Sequence, residues 1–298
     1  MPVICAETPT AELISAIQSA QNPDGGWGYT GRSSWTEPTA FALLALASGG
    51  SLSNPFLQGA RWLEQTQRAD GGWAPHTSVN ISTWVTAPAL LALLETDRAR
   101  SLQSAVNWLL SQTGEESTLV DRIRRAVLGQ RLEYGQETTG WPWLAGTAGW
   151  VMPTALSLLA LEKAELRGRA SGTRSRAQQG REFLLARICE DGGWNYGAFQ
   201  ALGYQANSYP DTTGMALLAL HGSSSAKVKN AADLAEKQLP NCRSAQTLCW
   251  LRMGLAAQGR SPAGAVDCPR DRGKLLDLAL VVLTRATEDG RARIWGAL

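Results

Sequence analysis

The chain has 298 residues, 44% of them apolar, and a formal net charge of +2, a composition that predicts a packed globular protein. So small a net charge gives no support to nucleic acid or another polyanion as a partner. The five cysteines are scattered without a Cys-x-x-Cys pair, and neither a secretory signal nor an apolar run near the roughly 20 residues of a bilayer span is present, so we expect a cytoplasmic protein.

Apolar periodicity and helix-end residues predict an all-α protein of about twelve helices. In chain order the predicted helices are 11–20, 38–48, 56–67, 84–96, 100–112, 117–131, 151–166, 174–188, 211–222, 226–238, 243–258 and 271–287. Helix 117–131 interrupts a regular alternation of two helix types and is interpreted as an insertion. No linker is long enough to divide the chain, so residues 1–298 are predicted to form one domain.

A tight turn, Asp-Gly-Gly-Trp, recurs between pairs of these helices. Copies stand at 24–27, 70–73 and 191–194, with a weaker copy, Thr-Thr-Gly-Trp, at 138–141. The glycines allow backbone conformations that a residue with a Cβ avoids. A polar loop and a helix rich in Ala and Leu follow each turn, and self-similarity of this kind determines the architecture.

The helices on the two sides of each turn differ in their apolar patterns. Helices such as 56–67 and 174–188 have one apolar stripe, which predicts partial exposure, whereas the helices after the turns are apolar nearly all round and are predicted to be buried. The four buried helices are 38–48, 84–96, 151–166 and 211–222. Buried helices inside and amphipathic helices outside predict an α/α toroid, a barrel of two concentric helical layers.

The turns resemble the glutamine–tryptophan (QW) motif of squalene-hopene cyclases and related proteins. The best copy comprises Gly59, Trp62, Leu63, Gln67, Gly71 and Trp73. A second copy comprises Gly180, Phe183, Leu184, Gly192 and Trp194, with Ile188 in place of the glutamine, and a partial copy comprises Ile17, Gln21, Gly25 and Trp27. The resemblance implies an α/α toroid whose turns brace the outer helices. Terpene cyclases, protein prenyltransferase β subunits and non-catalytic relatives share this toroid, so function is less specifically implied.

Two acidic residues stand at the heads of predicted inner helices. When the Leu-Leu-Ala-Leu ends are aligned, Glu37 and Asp211 take the same position, which Met152 and, approximately, Trp84 hold in the other repeats. The resemblance implies that Asp211 matches the middle acid of the cyclases' Asp-x-Asp-Asp signature, which protonates a terminal alkene. The flanking acids of that signature are absent here, and a forward alignment would match Asp211 to the first acid instead.

A structural explanation stands beside this catalytic one. Protonating an alkene needs an acid that stays protonated through burial or an adjacent carboxylate, whereas a helix N-terminus favours the anion. Asp211 is therefore also predicted as an ordinary N-cap. Glu37 before Pro38 is likewise typical of a helix start.

Aromatic residues cluster in the loops and helix starts at one predicted end of the toroid. Their faces could hold a polyprenyl chain and stabilise a carbocation, or they could simply fill the end of the barrel. The predicted substrate-binding residues are Trp35, Trp84, Trp143, Trp150, Tyr196, Tyr204 and Tyr209.

Neither a metal site nor a cofactor site is predicted. Protein prenyltransferases bind zinc through an Asp, a Cys two residues later and a His at an inner-helix start. Here Asp267 and Cys268 are adjacent, His221 lies at a helix end and His76 lies in a loop. These positions do not match the zinc pattern.

The leading hypothesis is a small toroid that binds a polyprenyl or triterpenoid-like apolar molecule and cyclises it by protonation, with Asp211 and Glu37 as acids. One alternative is a non-catalytic toroid that binds a ligand or a protein. Another is a carbohydrate-active α/α toroid, because Gly-Trp-Pro-Trp at 140–143 would also suit stacking on sugars. Peripheral contact with a membrane is compatible with the leading hypothesis, and the oligomeric state is not predicted.

Overall fold

The computed structural model describes residues 8–29, 33–96, 99–115, 127, 139–197, 200, 201, 204–264, 266, 274–290 and 295. Eleven α-helices lie within these residues. They are α1 Thr10–Ser19, α2 Thr36–Ser48, α3 Asn54–Thr66, α4 Thr86–Leu93, α5 Ala99–Ser111, α6 Val151–Leu166, α7 Arg174–Ala186, α8 Pro210–Ala219, α9 Ala226–Gln238, α10 Ala245–Ala257 and α11 Leu275–Glu288. The predicted helix 117–131 lies outside the described residues, apart from position 127.

Strand structure in the described residues is confined to two short antiparallel pairs. β1 (Trp141–Pro142) pairs with β2 (Gly149–Trp150), with Trp141 opposite Trp150. β3 (Gln200–Ala201) pairs with β4 (Tyr204–Gln205). Both hairpins lie in the connections that lead into inner helices.

The inner layer is a closed ring of six helices. Taken around the ring, α2, α4, α6, α8, α10 and α11 each pack on the next, and α11 packs back on α2. Helices α2, α4 and α8 are buried along most of their length, as expected for helices that are apolar nearly all round. The four predicted inner helices are confirmed, and α10 and α11, which the sequence assigned to no layer, complete the ring.

The other five helices form the outer layer and pack against the ring. α1 packs on α11 and α2, α3 on α2 and α4, α5 on α4 and α6, α7 on α6, and α9 on α8 and α10. Each therefore presents its apolar stripe to the inner helices and its polar face to solvent. The predicted all-α, α/α toroid fold is confirmed.

An equivalent hydrogen bond joins each of the four Trp turns to the inner helix that follows it. The backbone N–H groups of the turn tryptophans donate to threonine Oγ1 atoms over 2.8–3.0 Å. The pairs are Trp27 with Thr39, Trp73 with Thr86, Trp141 with Thr154, and Trp194 with Thr213. The turn ending at Trp141, which looked weak in sequence, is thus structurally equivalent to the others.

The turn tryptophans also tie each turn to the outer layer. Their indole Nε1 atoms donate to the carbonyls of Ile17, Leu63, Leu109 and Leu184 over 2.6–2.8 Å. Gly59 and Gly180 make room for the rings of Trp27 and Trp141, because a Cβ at either glycine would lie within 2.6 Å of a ring carbon. These contacts support the scaffold role implied for the turns.

Candidate functional site

The first two turns of five inner helices enclose a cavity of about 280 Å³ at the centre of the ring. Its lining comes mostly from the second and sixth residues of these helices. The residues are Glu37 and Phe41 of α2, Met152 of α6, Asp211 and Met215 of α8, Gln246 and Trp250 of α10, and Leu276 and Leu280 of α11, with Tyr196, Ser244 and Thr247 beside them. Residues four apart share a helix face, so the lining has two levels.

The two levels differ in chemistry. The sixth positions are all apolar: Phe41, Met215, Trp250 and Leu280. Phe41 and Trp250 face each other edge to face, with ring centroids 5.8 Å apart. The second positions of three helices are polar instead, being Glu, Asp and Gln. The cavity thus has an apolar floor beneath a partly polar upper level.

Glu37 lies in this upper level and is bonded by a tyrosine. The hydroxyl of Tyr29 donates to Glu37 Oε2. Burial raises the pKa of the Glu37 carboxyl, and the bond from Tyr29 lowers that pKa by less. No Lys, Arg or His is among the described residues that line the cavity, so no cation among them opposes the effect of burial. Burial also raises the pKa of Tyr29, with the Glu37 charge as the second cause.

Asp211 repeats this arrangement on α8. The hydroxyl of Tyr196 donates to Asp211 Oδ2 over 3.2 Å. Burial raises the pKa of Tyr196, and the Asp211 charge adds to the increase. Each tyrosine stands two residues after its turn tryptophan, and each acid stands two residues before the threonine that the turn binds. The two pairs are therefore equivalent in the repeat.

The structure also shows how these acids relate to the helix starts. The N-cap residues of α2 and α8 are Trp35 and Tyr209. Asp211 lies two residues after the N-cap of α8, so the N-cap prediction for it is wrong. One repeat position is shared by Glu37, Trp84, Met152 and Asp211, because each stands two residues before the threonine that accepts from a turn tryptophan. The alignment of the helix ends predicted this equivalence.

The burial of Glu37 leads to a prediction about stability and pH. Because the pKa of Glu37 is raised on folding, its ionisation opposes folding. The free energy of unfolding of the wild type should therefore fall as the pH rises above the ordinary glutamate pKa of about 4.3 and level off above the raised value. Glu37→Gln should lack this fall and be more stable than the wild type at neutral pH. Urea unfolding across this pH range measures the difference, with exposed Glu190→Gln as control; equal pH dependence of Glu37→Gln and wild type would contradict it.

Of the seven aromatic residues predicted to bind substrate, Tyr196 is among those that line the cavity. Tyr209 packs on Tyr196 with centroids 5.2 Å apart, and Trp84 packs edge to face on Trp143 at 4.9 Å. Trp35 lies between Tyr29 and the ring of His76, and Trp150 lies in β2. Tyr204 begins β4, and its side chain lies outside the described residues. A binding role for these aromatics stays a prediction.

Of the residues that line the cavity, the sequence predicted Glu37, Asp211 and Tyr196 as site residues and left out most of the others. Tyr29 was not identified, although it repeats the spacing of Tyr196 from a turn tryptophan. Gln246, Trp250 and Leu280 were also missed, because the last third of the chain lacks the Gly-Gly-Trp turns that marked the other inner helices. Because Gln246, Trp250 and Leu280 are second or sixth residues of their helices, the spacing of four between these positions could have identified these three residues.

Within the described residues, no group of three or more His, Cys, Asp or Glu side chains could hold a metal ion. His221 lies just after α8 and contacts Glu162, with Nε2 to Oε2 at 3.1 Å, and His76 is bonded to Ser33 and Ser78. Asp267 and Cys268 lie outside the described residues. No helix in the described part of the chain has the length and hydropathy needed to cross a membrane.

Comparison with known proteins gives matches in structure alone. No protein-family model matches the sequence, and no curated protein matches it. A type II terpene cyclase, MstE from Scytonema, solved with geranylgeranyl dihydroxybenzoate as substrate, is 15% identical over 95% of this chain and 98% of its own, with a TM-score of 0.62.

Two glycosyl hydrolases match to a similar degree. The GH76 α-mannanase BT2949 from Bacteroides thetaiotaomicron is 12% identical over 95% of both chains, with a TM-score of 0.60. The family 8 endoglucanase Cel10 from Klebsiella pneumoniae is 16% identical over 92% of this chain and 99% of its own, with a TM-score of 0.58. At these identities the likeness shows the fold alone: the chain is an α/α toroid similar to a terpene cyclase and to glycosyl hydrolases.

Proposed function

We propose that the protein binds an apolar, isoprenoid-like small molecule in the central cavity and cyclises it by acid chemistry, with Glu37 and Asp211 as the acidic groups. The observation that carries the proposal is that both carboxyl groups line one cavity whose floor is apolar. An isoprenoid chain would lie on this floor, and a double bond of the chain would meet the acids above it.

The apolar floor favours a hydrocarbon over a sugar. Phe41 and Trp250 would place aromatic faces and edges near a cation formed in the cavity, and aromatic faces stabilise cations. A sugar carries several hydroxyl groups that must all find hydrogen-bond partners when buried. At the sixth positions, the described lining offers Phe41, Met215, Trp250 and Leu280, and among these four side chains the Trp250 indole N–H is the one hydrogen-bond donor.

The volume of the cavity favours a short chain. Cavities of about 150 Å³ bind benzene, and ligand pockets commonly measure about 300–1,000 Å³. The described residues enclose about 280 Å³, which by this comparison suits a ligand of roughly ten to fifteen carbon atoms. A chain of this length is shorter than a triterpenoid. MstE, a terpene cyclase of similar fold, binds a geranylgeranyl compound, which supports an isoprenoid ligand.

The test is incubation of the purified protein with geranyl, farnesyl and geranylgeranyl diphosphates and their alcohols, squalene, cello-oligosaccharides and manno-oligosaccharides. Mass spectrometry should find cyclic isomers of a short isoprenoid. Glu37→Gln and Asp211→Asn should remain folded and each lower the wild-type rate by at least about 10²-fold, because general acid–base groups contribute about 10²–10⁴-fold. Cleavage of an oligosaccharide would assign the protein to the carbohydrate-active toroids instead, and binding of isoprenoids without conversion would leave a ligand-binding toroid.

A further inference from the structure

We infer that Gln246 determines the class of substrate by binding the hydroxyl group of an uncharged isoprenoid alcohol. The Oε1 atom of Gln246 accepts a hydrogen bond from that hydroxyl group, and Asp277 is a positioning residue that holds the Gln246 amide. The inference rests on the proposed function and narrows its ligand from isoprenoids in general to the free alcohol, in preference to the hydrocarbon and the diphosphate.

The polar groups of the cavity lining are concentrated on one side of the ring. In the ring order α2, α4, α6, α8, α10, α11, the helices α8 and α10 are neighbours, whereas α2 lies three places from α8, on the far side. Glu37 is the polar lining residue that α2 contributes. The others belong to α8, to α10 or to the connections before them, and they are Tyr196, Asp211, Ser244, Gln246 and Thr247. A ligand with one polar group would therefore turn that group towards α8 and α10.

The Gln246 side chain is held in one orientation by a buried acid. Its Nε2 atom donates to Oδ1 of Asp277 over 2.6 Å, and Asp277 of the neighbouring helix α11 is 7% exposed. A carboxylate oxygen accepts hydrogen bonds and cannot donate them, so the amide turns its NH₂ group to Asp277. The Oε1 atom therefore lies on the side of the amide that faces away from Asp277.

This orientation leaves Gln246 Oε1 as an acceptor for a ligand. Gln246 is half-buried and lines the cavity, and among the described residues no group donates to its Oε1 atom. A ligand that fills the cavity displaces water from this oxygen, and a polar atom that loses water without gaining a partner weakens binding. A hydroxyl group can donate to Oε1, whereas an ether or a hydrocarbon cannot.

Two hydroxyl groups stand beside Gln246 in the lining, those of Ser244 and Thr247. Each can donate as well as accept. A ligand hydroxyl that donates to Gln246 can therefore accept from one of them, so that both of its hydrogen-bonding capacities are satisfied by residues at the start of α10. This set of groups suits an alcohol better than a ligand group that only accepts.

The charges of the lining disfavour a diphosphate. Glu37 and Asp211 are acids, and the described lining residues include no Lys, Arg or His. A diphosphate carries several negative charges and needs cationic partners when it leaves water. An uncharged alcohol has no such requirement, so its burial in this cavity is less unfavourable.

A purely structural role is the alternative explanation of the bond between Gln246 and Asp277, because the bond also joins α10 to α11. A structural role predicts that variants at these positions lose stability and keep the ligand preference of the wild type. Recognition predicts that the ligand preference changes in a folded protein. Preference and folding are therefore measured together.

The first test compares three ligands of one carbon skeleton on the wild type by titration of tryptophan fluorescence. They are geraniol, geranyl methyl ether and the hydrocarbon 2,6-dimethylocta-2,6-diene. Geraniol should bind at least about fivefold more tightly than either analogue, because its hydroxyl group satisfies a half-buried acceptor. Geranyl diphosphate should bind at least about tenfold more weakly than geraniol. The inference is wrong if geraniol binds no more tightly than an analogue, or if the diphosphate binds more tightly than geraniol.

The second test replaces Gln246 with methionine, which has a similar length but no amide. In Gln246→Met the preference for geraniol over the hydrocarbon should fall to within about twofold, with the circular dichroism of the wild type. Gln178→Met is the matched control, because Gln178 lies exposed on the outer helix α7, and it should keep the wild-type preference. An unchanged preference in Gln246→Met, or loss of the preference in Thr247→Val alone, would show that another group binds the hydroxyl.

Asp277→Asn tests the positioning role and serves also if Gln246→Met does not fold. The substituted amide can donate as well as accept, so it no longer holds Gln246 with Oε1 available to the ligand. The preference for geraniol over its methyl ether should fall at least about threefold. Asp233→Asn, at a side chain that is 52% exposed, is the control. A folded Asp277→Asn with the wild-type preference would contradict the positioning role.

Failure of the inference and failure of the proposed function give different results. If the wild type binds geraniol and the hydrocarbon equally and cyclises an isoprenoid, the proposed function stands and the assignment of Gln246 fails. If the wild type binds none of these isoprenoids, the proposed function fails and the inference fails with it.

Discussion

Replacing Trp73 with alanine is expected to lower the free energy of unfolding by about 3–5 kcal/mol, the usual cost of removing a large buried aromatic side chain. Trp73 is fully buried, its Nε1 donates to the Leu63 carbonyl over 2.7 Å and its backbone N–H donates to Thr86 Oγ1 over 2.9 Å. The substitution removes the ring that packs between an outer and an inner helix, and it leaves the Leu63 carbonyl with the longer bond from Thr66 Oγ1 in place of the indole N–H. Guanidinium unfolding followed by circular dichroism measures the loss.

Two further variants separate packing from hydrogen bonding at this turn. Trp73→Phe keeps most of the ring volume and loses the indole N–H, so its cost should be smaller, about 1–3 kcal/mol. Trp35 is half-buried, so Trp35→Ala should lower the free energy of unfolding by less than Trp73→Ala does. If Trp73→Ala were as stable as the wild type but no longer bound ligand, the turn tryptophans would belong to the site and not to the scaffold.

Replacing Arg176 with methionine is expected to destabilise the protein by about 3–5 kcal/mol, because a buried charged group that satisfies several carbonyls is lost. Arg176 is 7% exposed and donates to the carbonyls of Gln112, Thr139 and Gly140 over 2.9–3.3 Å. Its guanidinium carbon lies 3.4 Å from the ring centroid of Trp141. Burial lowers the pKa of Arg176 to about 10, so the group is charged at neutral pH.

The same helix offers the control. Arg174 of α7 has a side chain that is 91% exposed and pairs with Glu165, so Arg174→Met should change stability by no more than about 0.5 kcal/mol. Arg176→Lys should recover only part of the loss, because one ammonium group cannot reproduce the planar set of donors of the guanidinium. Equal stability of Arg176→Met and Arg174→Met would show that the carbonyls find other donors.

In the third turn, Arg176 takes the role that a glutamine has in the first two turns. Gln21 and Gln67 donate to the carbonyls of Gly25 and Gly71, each two residues before a turn tryptophan, and to a carbonyl at the start of the next outer helix. In the third turn the equivalent carbonyl belongs to Thr139, and Arg176 reaches it from the next outer helix instead. The donor in the third turn thus belongs to the outer helix that follows the turn. The spacing of the glutamines from the turn tryptophans therefore could not predict it.

For the candidate site, the sequence predicted part of the arrangement. The common Leu-Leu-Ala-Leu ends of the inner helices predicted one repeat position for Glu37 and Asp211. In the structure each acid stands two residues before the threonine that a turn tryptophan bonds, which agrees with that prediction. Tyr29 was missed although it stands two residues after a turn tryptophan, and Trp250 was missed because no Gly-Gly-Trp turn precedes its helix. The aromatic residues at the helix starts were predicted as a group from composition, and composition cannot tell which of them point into a cavity.

The sequence by itself determined the two helical layers, the turns between them and the repeat position of the two acids. Each of these features depends on local periodicity and on residues close in the chain, such as the glycines before Trp73. The closure of the ring by α10 and α11, and with it the placement of Glu37 opposite Asp211, was decided only by the tertiary structure. These relations join residues far apart in the chain, and side-chain packing around the whole ring determines which residues meet at its centre.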